Sequence, residues 1–267
     1  MIILINCKGG VFIRIKVEFN SENDVILPIG FNKYIQALIY NMFSQKLRKF
    51  VHEKGFESFS KRVYRFFTFS SILKKGKYYK NMKVFNFGKI ISFYISSPFI
   101  DFLEDILENL FENNIFQLGE NKIYISNVIA ENEYFDYTNN GIEIKMITPI
   151  EVHKTEIINS RKKTIYYSPF SSEFEKLINL NLKHKWEAFY NKKLDDNIKI
   201  TPLFNEEKYK KIVYYGFGTK KYIIEGWMGN YKLEGKAEII RFLYDVGLGS
   251  KNSQGFGMFE KIENTSD

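Results

Sequence analysis

The chain has 267 residues and a formal net charge of +8, with 45% hydrophobic and 17% aromatic side chains. Its length exceeds that of a typical domain and its apolar content suffices for two packed cores, which excludes a disordered or fibrous chain. The positive charge favours a polyanionic partner, although an AT-rich genome that enriches lysine and asparagine would give the same composition.

Cysteine usage and hydropathy indicate a cytoplasmic protein. Cys7 is the only cysteine, which excludes an intrachain disulfide and a zinc site built from several cysteines. No run of about 18 apolar residues is present to span a membrane, and the apolar start lacks the basic residues of a secretory signal. Because Lys8-Gly9-Gly10 precedes the first clear strand, one interpretation is that residues 1–12 are upstream sequence translated from an early start codon.

The first half of the chain has the element order of a ferredoxin-like domain. Alternating apolar and charged side chains predict strands, whereas apolar residues spaced three and four apart predict helices. In chain order we predict strand 13–19, helix 34–43, a second helical piece ending near Gly55, strands 64–69 and 90–95, helix 97–111 and strand 123–129. The order β-α-β-β-α-β is that of the ferredoxin-like fold.

The turn sequence Asn139-Asn140-Gly141 divides the chain into predicted domains 1–138 and 139–267. The second part contains, in order, strand 142–147, a basic loop leading into residues 164–169, helix 174–190, strands 198–200, 212–217 and 222–228, helix 237–244 and strand 258–262. We therefore predict an α+β protein with two tandem ferredoxin-like domains and a glycine-rich loop close to its C-terminal strand.

Four glycines occur within eleven residues of that loop, Gly247-Leu-Gly249-Ser-Lys-Asn-Ser-Gln-Gly255-Phe-Gly257. Glycine permits positive φ and close backbone approach, and consecutive amides can form an anion site. The spacing matches neither a Walker loop nor a dinucleotide fingerprint, because no Gly-Lys-Ser/Thr follows and the loop runs from helix to strand. On these residues alone, both a tight structural loop and a phosphate-binding loop remain open.

With its flanking helix and strand, the segment Val246-Gly-Leu-Gly-Ser-Lys-Asn-Ser-Gln-Gly-Phe-Gly-Met258 resembles the C-terminal motif of the CRISPR repeat-cleaving endoribonucleases, pre-crRNA processing nucleases of the RAMP superfamily. Further similar segments follow in the family order: Leu27-Pro28, Tyr34-Ile-Gln-Ala-Leu-Ile-Tyr40, His52-Glu-Lys-Gly-Phe56, Phe66-Phe-Thr-Phe-Ser70, Thr148-Pro-Ile150, Ser168-Pro169 and residues 174–182. The resemblance implies a ribonuclease that needs no metal or cofactor. It would cleave repeat RNA by 2′-hydroxyl attack, leaving 2′,3′-cyclic phosphate and 5′-hydroxyl ends.

The resemblance also implies a set of catalytic residues. His52 matches the usual catalytic histidine, and histidine suits proton transfer because its ordinary pKa is about 6.5. Tyr40 matches the second position, and without the family it would be a helix-flank aromatic covering the core edge. The cationic member is Arg65 or Lys61, and an arginine there can stabilise phosphate charge but cannot transfer a proton. Two other histidines, His153 and His184, match no catalytic position.

For RNA contact we expect the basic cluster of the second domain and the glycine-rich loop: Lys154, Arg161, Lys162, Lys163, Gly247, Gly249, Lys251, Asn252, Gly255 and Gly257. Basic side chains bind phosphates, and the nearby Tyr166 and Tyr167 can stack on bases. Any single lysine here is otherwise a solvated surface charge.

Two alternatives accompany this assignment. The carboxylates Asp101, Glu104, Asp105 and Glu108 lie opposite an apolar stripe with no histidine nearby, which favours a solvated helix face over a metal site. The alternative function is a non-catalytic subunit that binds repeat RNA in a CRISPR effector complex. Besides the repeat RNA, other effector-complex subunits and a second copy of the chain are candidate partners.

Overall fold

The computed structural model of the protein describes residues 14–131, 141–205, 207–216 and 222–262. Residues 1–12, interpreted above as upstream sequence, and the boundary residues 139–140 lie outside this description. Within the described ranges, no helix has the length and apolar character needed to cross a membrane.

The first half forms a five-stranded antiparallel sheet covered by helices, with two smaller sheets beside it. The helices are α1 (Asn32–Met42), α2 (Gln45–Lys49) and α3 (Ile100–Glu112), and α2 continues into a π-helical turn, Phe50–Lys54. The strands are β1 (Arg14–Asn20), β2 (Ile26–Pro28), β3 (Phe56–Glu57), β4 (Val63–Tyr64), β5 (Thr68–Phe69), β6 (Lys77–Tyr79), β7 (Val84–Asn86), β8 (Ile90–Ser96), β9 (Ile115–Leu118) and β10 (Asn121–Glu131). The large sheet has the order β5-β8-β1-β10-β9, while β2-β7-β6 and β3-β4 form the smaller ones.

The second half contains a four-stranded antiparallel sheet and two hairpins. Its helices are α4 (Ser172–Tyr190) and α5 (Ala237–Val246). Its strands are β11 (Ile142–Met146), β12 (His153–Ile158), β13 (Arg161–Tyr166), β14 (Lys199–Pro202), β15 (Lys210–Tyr215), β16 (Tyr222–Trp227), β17 (Asn230–Glu234) and β18 (Phe259–Lys261). The sheet order is β14-β17-β11-β18, and β12-β13 and β15-β16 are the separate hairpins.

Both halves have ferredoxin-like topology, which confirms the predicted fold class. In each sheet, the second, third, first and fourth strands of the β-α-β-β-α-β unit lie side by side in that order. The central strand of the first sheet has alternate residues Ile15, Val17 and Phe19 buried, because successive side chains of a strand point to opposite faces. The sequence analysis did not recognise that β15 and β16 form a hairpin outside the main sheet. It also missed several strands: β2, β3, β6, β7, β9 and β17.

The predicted strand over residues 64–69 is wrong as a single element. Tyr64 ends β4, Thr68 begins β5, and between them Phe66 adopts a left-handed conformation with φ 48°. Because of this turn, the side chains of the consecutive residues Phe66 and Phe67 lie in different cores. Phe66 packs in the apolar core of the second half, and Phe67 packs in the core of the first.

Polar contacts also join the two halves. Arg14 on β1 is buried, donates to the Phe259 carbonyl at 3.0 Å and stacks over the ring of Tyr244 at 3.9 Å. On the other side of the sheet edge, Thr68 donates to the Phe256 carbonyl at 3.2 Å. The described parts of the two halves are therefore in direct contact along the segment that carries the predicted cationic residues.

Candidate active site

Helix α1 presents one polar edge toward the C-terminal half. Its apolar stripe, including Ile35, Leu38 and Ile39, is buried in the first core, which leaves Gln36 and Tyr40 on the flank. Tyr40 is half-buried and its ring meets those of Phe43 and Phe67 edge-on, so it also covers the edge of the core. Both descriptions considered for Tyr40 therefore fit its position.

His52 is exposed on the π-helical turn, next to Tyr40. The centroids of their rings are 5.9 Å apart, with the ring planes nearly perpendicular. The junction between α1 and α2, which precedes this turn, is anchored from α3, since Asp105 accepts the Ser44 amide at 2.8 Å and Asn109 donates to the Met42 carbonyl at 2.8 Å. The predicted solvated face of α3 is thus wrong for Asp105, which holds the segment leading to His52.

Arg65 completes the cluster from a third element. Its guanidinium donates to the backbone carbonyl of His52 at 3.4 Å. Burial raises the pKa of the Tyr40 hydroxyl above its usual value, and the charge and hydrogen bond of Arg65 oppose this rise. Tyr40 is therefore protonated at neutral pH and is a hydrogen-bond donor there.

Gly55 brings Arg65 to this position. It follows the π-helical turn with φ 61° and ψ −156°, a conformation that residues with a side chain rarely adopt. A Cβ at Gly55 would lie 2.7 Å from the carbonyl oxygen of Tyr64, so β4 passes against the end of the turn. The pairing of Phe56 with Tyr64 then places Arg65 beside the turn.

Lys61, the alternative cation, lies at the tip of the β3–β4 connection. Its side chain is 87% exposed and pairs with Glu57 at 3.2 Å. The geometry brings Tyr40, His52 and Arg65 together and favours Arg65 over Lys61 as their cationic neighbour.

A cleft of about 410 Å³ opens beside Arg65, between residues 62–67 of the first half and residues 250–254 of the second. Next to this cleft, helix α1 contacts the second half of the molecule through Gln36. Gln36 donates to the Ser253 carbonyl at 2.6 Å and accepts from Tyr215 at 2.5 Å. Arg62, Arg65 and Lys251 line the cleft, so its walls carry positive charge.

The glycine-rich loop, residues 247–257, is packed tightly against both halves of the molecule. A Cβ on Gly249 or Gly257 would overlap the backbone oxygen of Glu151 or Leu248, and one on Gly255 would lie 2.8 Å from the Phe69 ring. The backbone of the loop therefore needs these glycines for close approach, whatever ligand it binds.

Side chains within this loop divide into internal and outward positions. Asn252 is buried and donates to the carbonyls of Leu248 and Phe256 at 3.0 Å each, so its amide group closes the loop. The predicted RNA contact of Asn252 through this donor group is therefore not supported. Lys251 is half-buried and lines the cleft, where it can meet a phosphate.

The predicted basic loop is a β-hairpin, β12–β13. Its two-residue turn, Asn159-Ser160, has positive φ at both positions, the conformation typical of tight hairpins. The register places Arg161 and Lys163 on one face with Lys154, and Lys162 on the other face with Ile157. Three of these basic side chains are exposed: Arg161, Lys162 and Lys163. Lys154 instead pairs with Glu173, and the hydrogen bond to this carboxylate raises the pKa of the Lys154 ammonium group.

The sequence analysis missed a histidine–carboxylate pair in the cleft. His153 lines the cavity, and its Nδ1 lies 2.5 Å from a carboxylate oxygen of the fully buried Glu151. The two residues are separated by one position in the chain, a spacing too common to be noticed in a sequence. The imidazole is held by Glu151, which leaves Nε2 as the ring nitrogen available to a substrate.

Lys185 is a second missed residue of the site. It is buried in α4 and donates to the carbonyls of Gly247 and Gly249 at 2.8 and 2.7 Å. Burial lowers the pKa of its ammonium group to about 7. No sequence signal marks it, because a single lysine within a predicted helix gives no indication of burial.

The described residues contain no group of three or more histidine, cysteine, aspartate or glutamate side chains arranged to hold a metal. The Tyr40 cluster offers an imidazole, a protonated phenol and a guanidinium beside a cationic cleft. Such groups suit proton transfer and stabilisation of charge on a phosphate.

Comparison with known proteins identifies the family. Models of the Cas6 N-terminal and C-terminal regions match residues 26–129 and 129–261. The CRISPR-associated endoribonuclease Cas6 1 of Methanocaldococcus jannaschii is 26% identical over 252 residues, which cover 94% of this chain and 93% of that protein.

Solved structures agree with these matches. A CRISPR associated protein Cas6 has a TM-score of 0.71 and 25% identity, covering 94% of this chain and 99% of its own. A RAMP protein described as binding different RNA substrates has the same fold, with a TM-score of 0.75 at 22% identity over 94% of this chain and 100% of its own. The chain therefore belongs to the Cas6 family of CRISPR-associated proteins, which confirms the resemblance first indicated by its glycine motif.

Proposed function

We propose that this chain is an endoribonuclease that cleaves the repeats of a CRISPR transcript by attack of the substrate's own 2′-hydroxyl, without a metal. The observation that carries the proposal is the convergence of Tyr40, His52 and Arg65 from three elements. The rings of Tyr40 and His52 are 5.9 Å apart, and Arg65 contacts both residues. The name of the Methanocaldococcus relative supports the same activity.

The three residues have distinct roles in this proposal. His52 accepts the 2′-hydroxyl proton, because imidazole can gain a proton near neutral pH. Tyr40 carries its proton at neutral pH, since burial raises its pKa. It either donates a hydrogen bond that orients the 2′-hydroxyl, with water protonating the leaving 5′-oxygen, or transfers its proton to that oxygen and is reprotonated from water. Arg65 stabilises the charge that develops on the phosphate. Cleavage leaves 2′,3′-cyclic phosphate and 5′-hydroxyl ends.

The RNA would reach this cluster through the cationic cleft. Lys251 and His153 line it, and the exposed basic residues of the β12–β13 hairpin, Arg161, Lys162 and Lys163, extend the positive surface beyond it. The glycines at 247, 249, 255 and 257 would act by shaping the loop that carries Lys251. The RNA-binding fold neighbour supports an RNA ligand for this architecture.

We place the domain boundary near residue 139. Supporting this, β10 ends at Glu131, β11 begins at Ile142, and the two family models meet at residue 129. The cytoplasmic location, a second copy of the chain and other effector-complex subunits as partners belong to the same proposal.

The experiment that tests the function uses purified protein and the host's own repeat RNA in excess EDTA. We expect one sharp cut, its loss when the cut nucleotide is 2′-deoxy, and slowing by at least about 100-fold in His52→Ala, since general acid–base catalysis is typically worth that much. Lys61→Ala is the matched control and should cut at the wild-type rate, because Lys61 pairs with Glu57 away from the cluster.

The alternative function gives a different result. Tight binding of the repeat with no cut by the wild-type protein would leave a non-catalytic RNA-binding subunit. Cutting that survives His52→Ala would keep the enzyme but remove His52 as the base.

A further inference from the structure

The positive charge of the chain is concentrated in one segment. Residues 58–100 contain nine lysines and arginines and no aspartate or glutamate, a charge of +9, whereas the whole chain carries +8. The remaining 224 residues therefore sum to −1, by subtraction of these two values. Three of the nine, Lys61, Arg62 and Arg65, lie in the segment that borders the active site, and the other six are lysines.

These six lysines surround a small hairpin that has no role in the cluster described above. We call it the lysine hairpin: β6 and β7 with their flanking residues 74–89. All six side chains are exposed: Lys74, Lys75, Lys77, Lys80, Lys83 and Lys89. In the part of the chain that the structure describes, none of them has a carboxylate partner within ion-pair distance. The Asp24 carboxylate near this sheet accepts a hydrogen bond from Asn86 at 2.8 Å.

One face of the hairpin packs against the start of α1. Tyr78 pairs across the strands with Phe85, their rings 4.9 Å apart, and Phe31 packs against Phe85 and Phe87, although Tyr78 itself stays 44% exposed. Because neighbouring residues of a strand point to opposite faces, Lys77 and Tyr79 lie on the other face, where Lys77 is exposed and Tyr79 is half-buried. There the Lys77 ammonium stands 5.3 Å from the Tyr79 ring centroid.

The packed face fixes the hairpin relative to the active site. Phe31 immediately precedes α1, and Tyr40 lies nine residues further along that helix, about 14 Å at 1.5 Å per residue. The carbonyl of Lys83 also accepts the Ile29 amide at 3.0 Å, which ties the hairpin turn to the start of the helix. At about 3.4 Å per stacked base, that distance corresponds to roughly four nucleotides.

We propose that the lysine hairpin is a second RNA-binding site, which holds single-stranded transcript a few nucleotides away from the cut. Exposed cationic side chains around the exposed ring of Tyr78 and the half-buried ring of Tyr79 are suited to a flexible polyanion whose bases can stack. The inference rests on the proposed ribonuclease function, because it assigns the hairpin to the same transcript. The competing explanation is that the lysines protect the edge strand β6 from pairing with another chain.

The test compares two double variants with equal loss of charge. Lys77→Gln with Lys80→Gln removes charge from the hairpin, and Lys192→Gln with Lys193→Gln removes it from an exposed, unpaired site beyond α4. Affinity is measured against salt concentration for an RNA made uncleavable by 2′-deoxy substitution at the cut. Two RNAs are used, one extending about ten nucleotides on either side of the cut and one extending two.

For the long RNA, the hairpin variant should lower the slope of log affinity against log salt by about 1.4, since each lost phosphate contact on a single strand is worth about 0.7. The control variant should keep the wild-type slope. On the short RNA, both variants should bind like the wild type. Unfolding midpoints equal to that of the wild type would establish that neither variant acts through folding.

Three results would overturn the proposal. One is an unchanged slope on the long RNA, and another is equal weakening on both RNAs. The third is self-association of the hairpin variant with unchanged RNA binding, which would support edge protection. Cleavage of the unmodified short RNA by the wild-type protein is measured in parallel. The unmodified long RNA is assayed in the same way, and failure of the wild-type protein to cleave this long RNA would remove the ribonuclease function without deciding where RNA binds.

Discussion

Gly55 couples the fold to the candidate site, and its replacement by alanine gives the sharpest prediction. The conformation at φ 61° and ψ −156° costs a residue with a side chain about 1–3 kcal/mol. The new methyl group would also lie 2.7 Å from the Tyr64 carbonyl and 2.8 Å from a Val63 methyl group, and such overpacking typically costs about 1–3 kcal/mol more. We expect Gly55→Ala to lower the free energy of unfolding by about 2–6 kcal/mol, a large share of the 5–15 kcal/mol typical of a folded protein.

The matched control is Gly119→Ala. Gly119 has the same φ of 61°, but a Cβ there would meet its nearest neighbour at 3.4 Å, an ordinary contact. We expect a loss of only about 1–2 kcal/mol, the cost of the left-handed backbone alone. Urea unfolding of both variants measures the difference. Equal losses would refute the reasoning that β4 packs against Gly55. A repeat-cleavage assay under folding conditions should also show slower cutting in Gly55→Ala, because Arg65 shifts with β4, and an unchanged rate in Gly119→Ala.

Three further predictions concern single charged residues. Burial lowers the pKa of the Lys185 ammonium group from 10.5 to about 7. Between pH 7 and 10.5 the unfolded chain therefore binds more protons than the folded chain. The free energy of unfolding should rise with pH in this range, by up to about 1.4 kcal/mol per pH unit. Lys185→Met should remove this contribution to the slope, as measured by denaturant unfolding from pH 7 to 10. Arg65→Ala should slow single-turnover cleavage by about 100-fold or more, and Arg65→Lys should restore part of the rate if the role is electrostatic; equal loss in both would mean that guanidinium geometry is required. Lys162→Gln should lower the salt dependence of RNA binding by about 0.7, and Lys154→Gln by less, because Lys154 already has a carboxylate partner; a larger effect of Lys154 in filter binding would contradict this.

The spacing of apolar residues predicted the main helices and strands, because an element buried on one face needs apolar side chains at regular intervals. The alternation of β1 and the apolar stripe of α1 correspond to buried residues in the structure, and Gly55 ends the helical segment as expected for a positive-φ glycine. The family resemblance identified the candidate catalytic residues, which the spacing of apolar residues cannot do. Tyr40 and His52 are twelve residues apart, and only the chain reversal after α1 brings their rings together.

The missed features lack a sequence period or depend on distant partners. The hairpin β12–β13 is largely exposed on both faces, so no apolar alternation marks its strands. Phe66 turns into a left-handed conformation that aromatic residues rarely adopt, because its side chain is buried in the other half of the molecule. Asn252 looked like an exposed polar residue of a loop, yet its amide is satisfied by carbonyls that only the folded loop supplies.

The neighbouring side chains of Phe66 and Phe67 have a mechanical consequence. Phe66 packs among Phe189 and Phe242 of the second half, while Phe67 contacts Phe43 and Tyr40 in the first. Any hinge motion that widened the cleft would have to withdraw one of these rings and leave a void of aromatic size, which typically costs several kcal/mol. Under the proposed function, the transcript would enter an opening whose width is already set, and Arg65, which lines the cleft directly before the pair, would hold its position there.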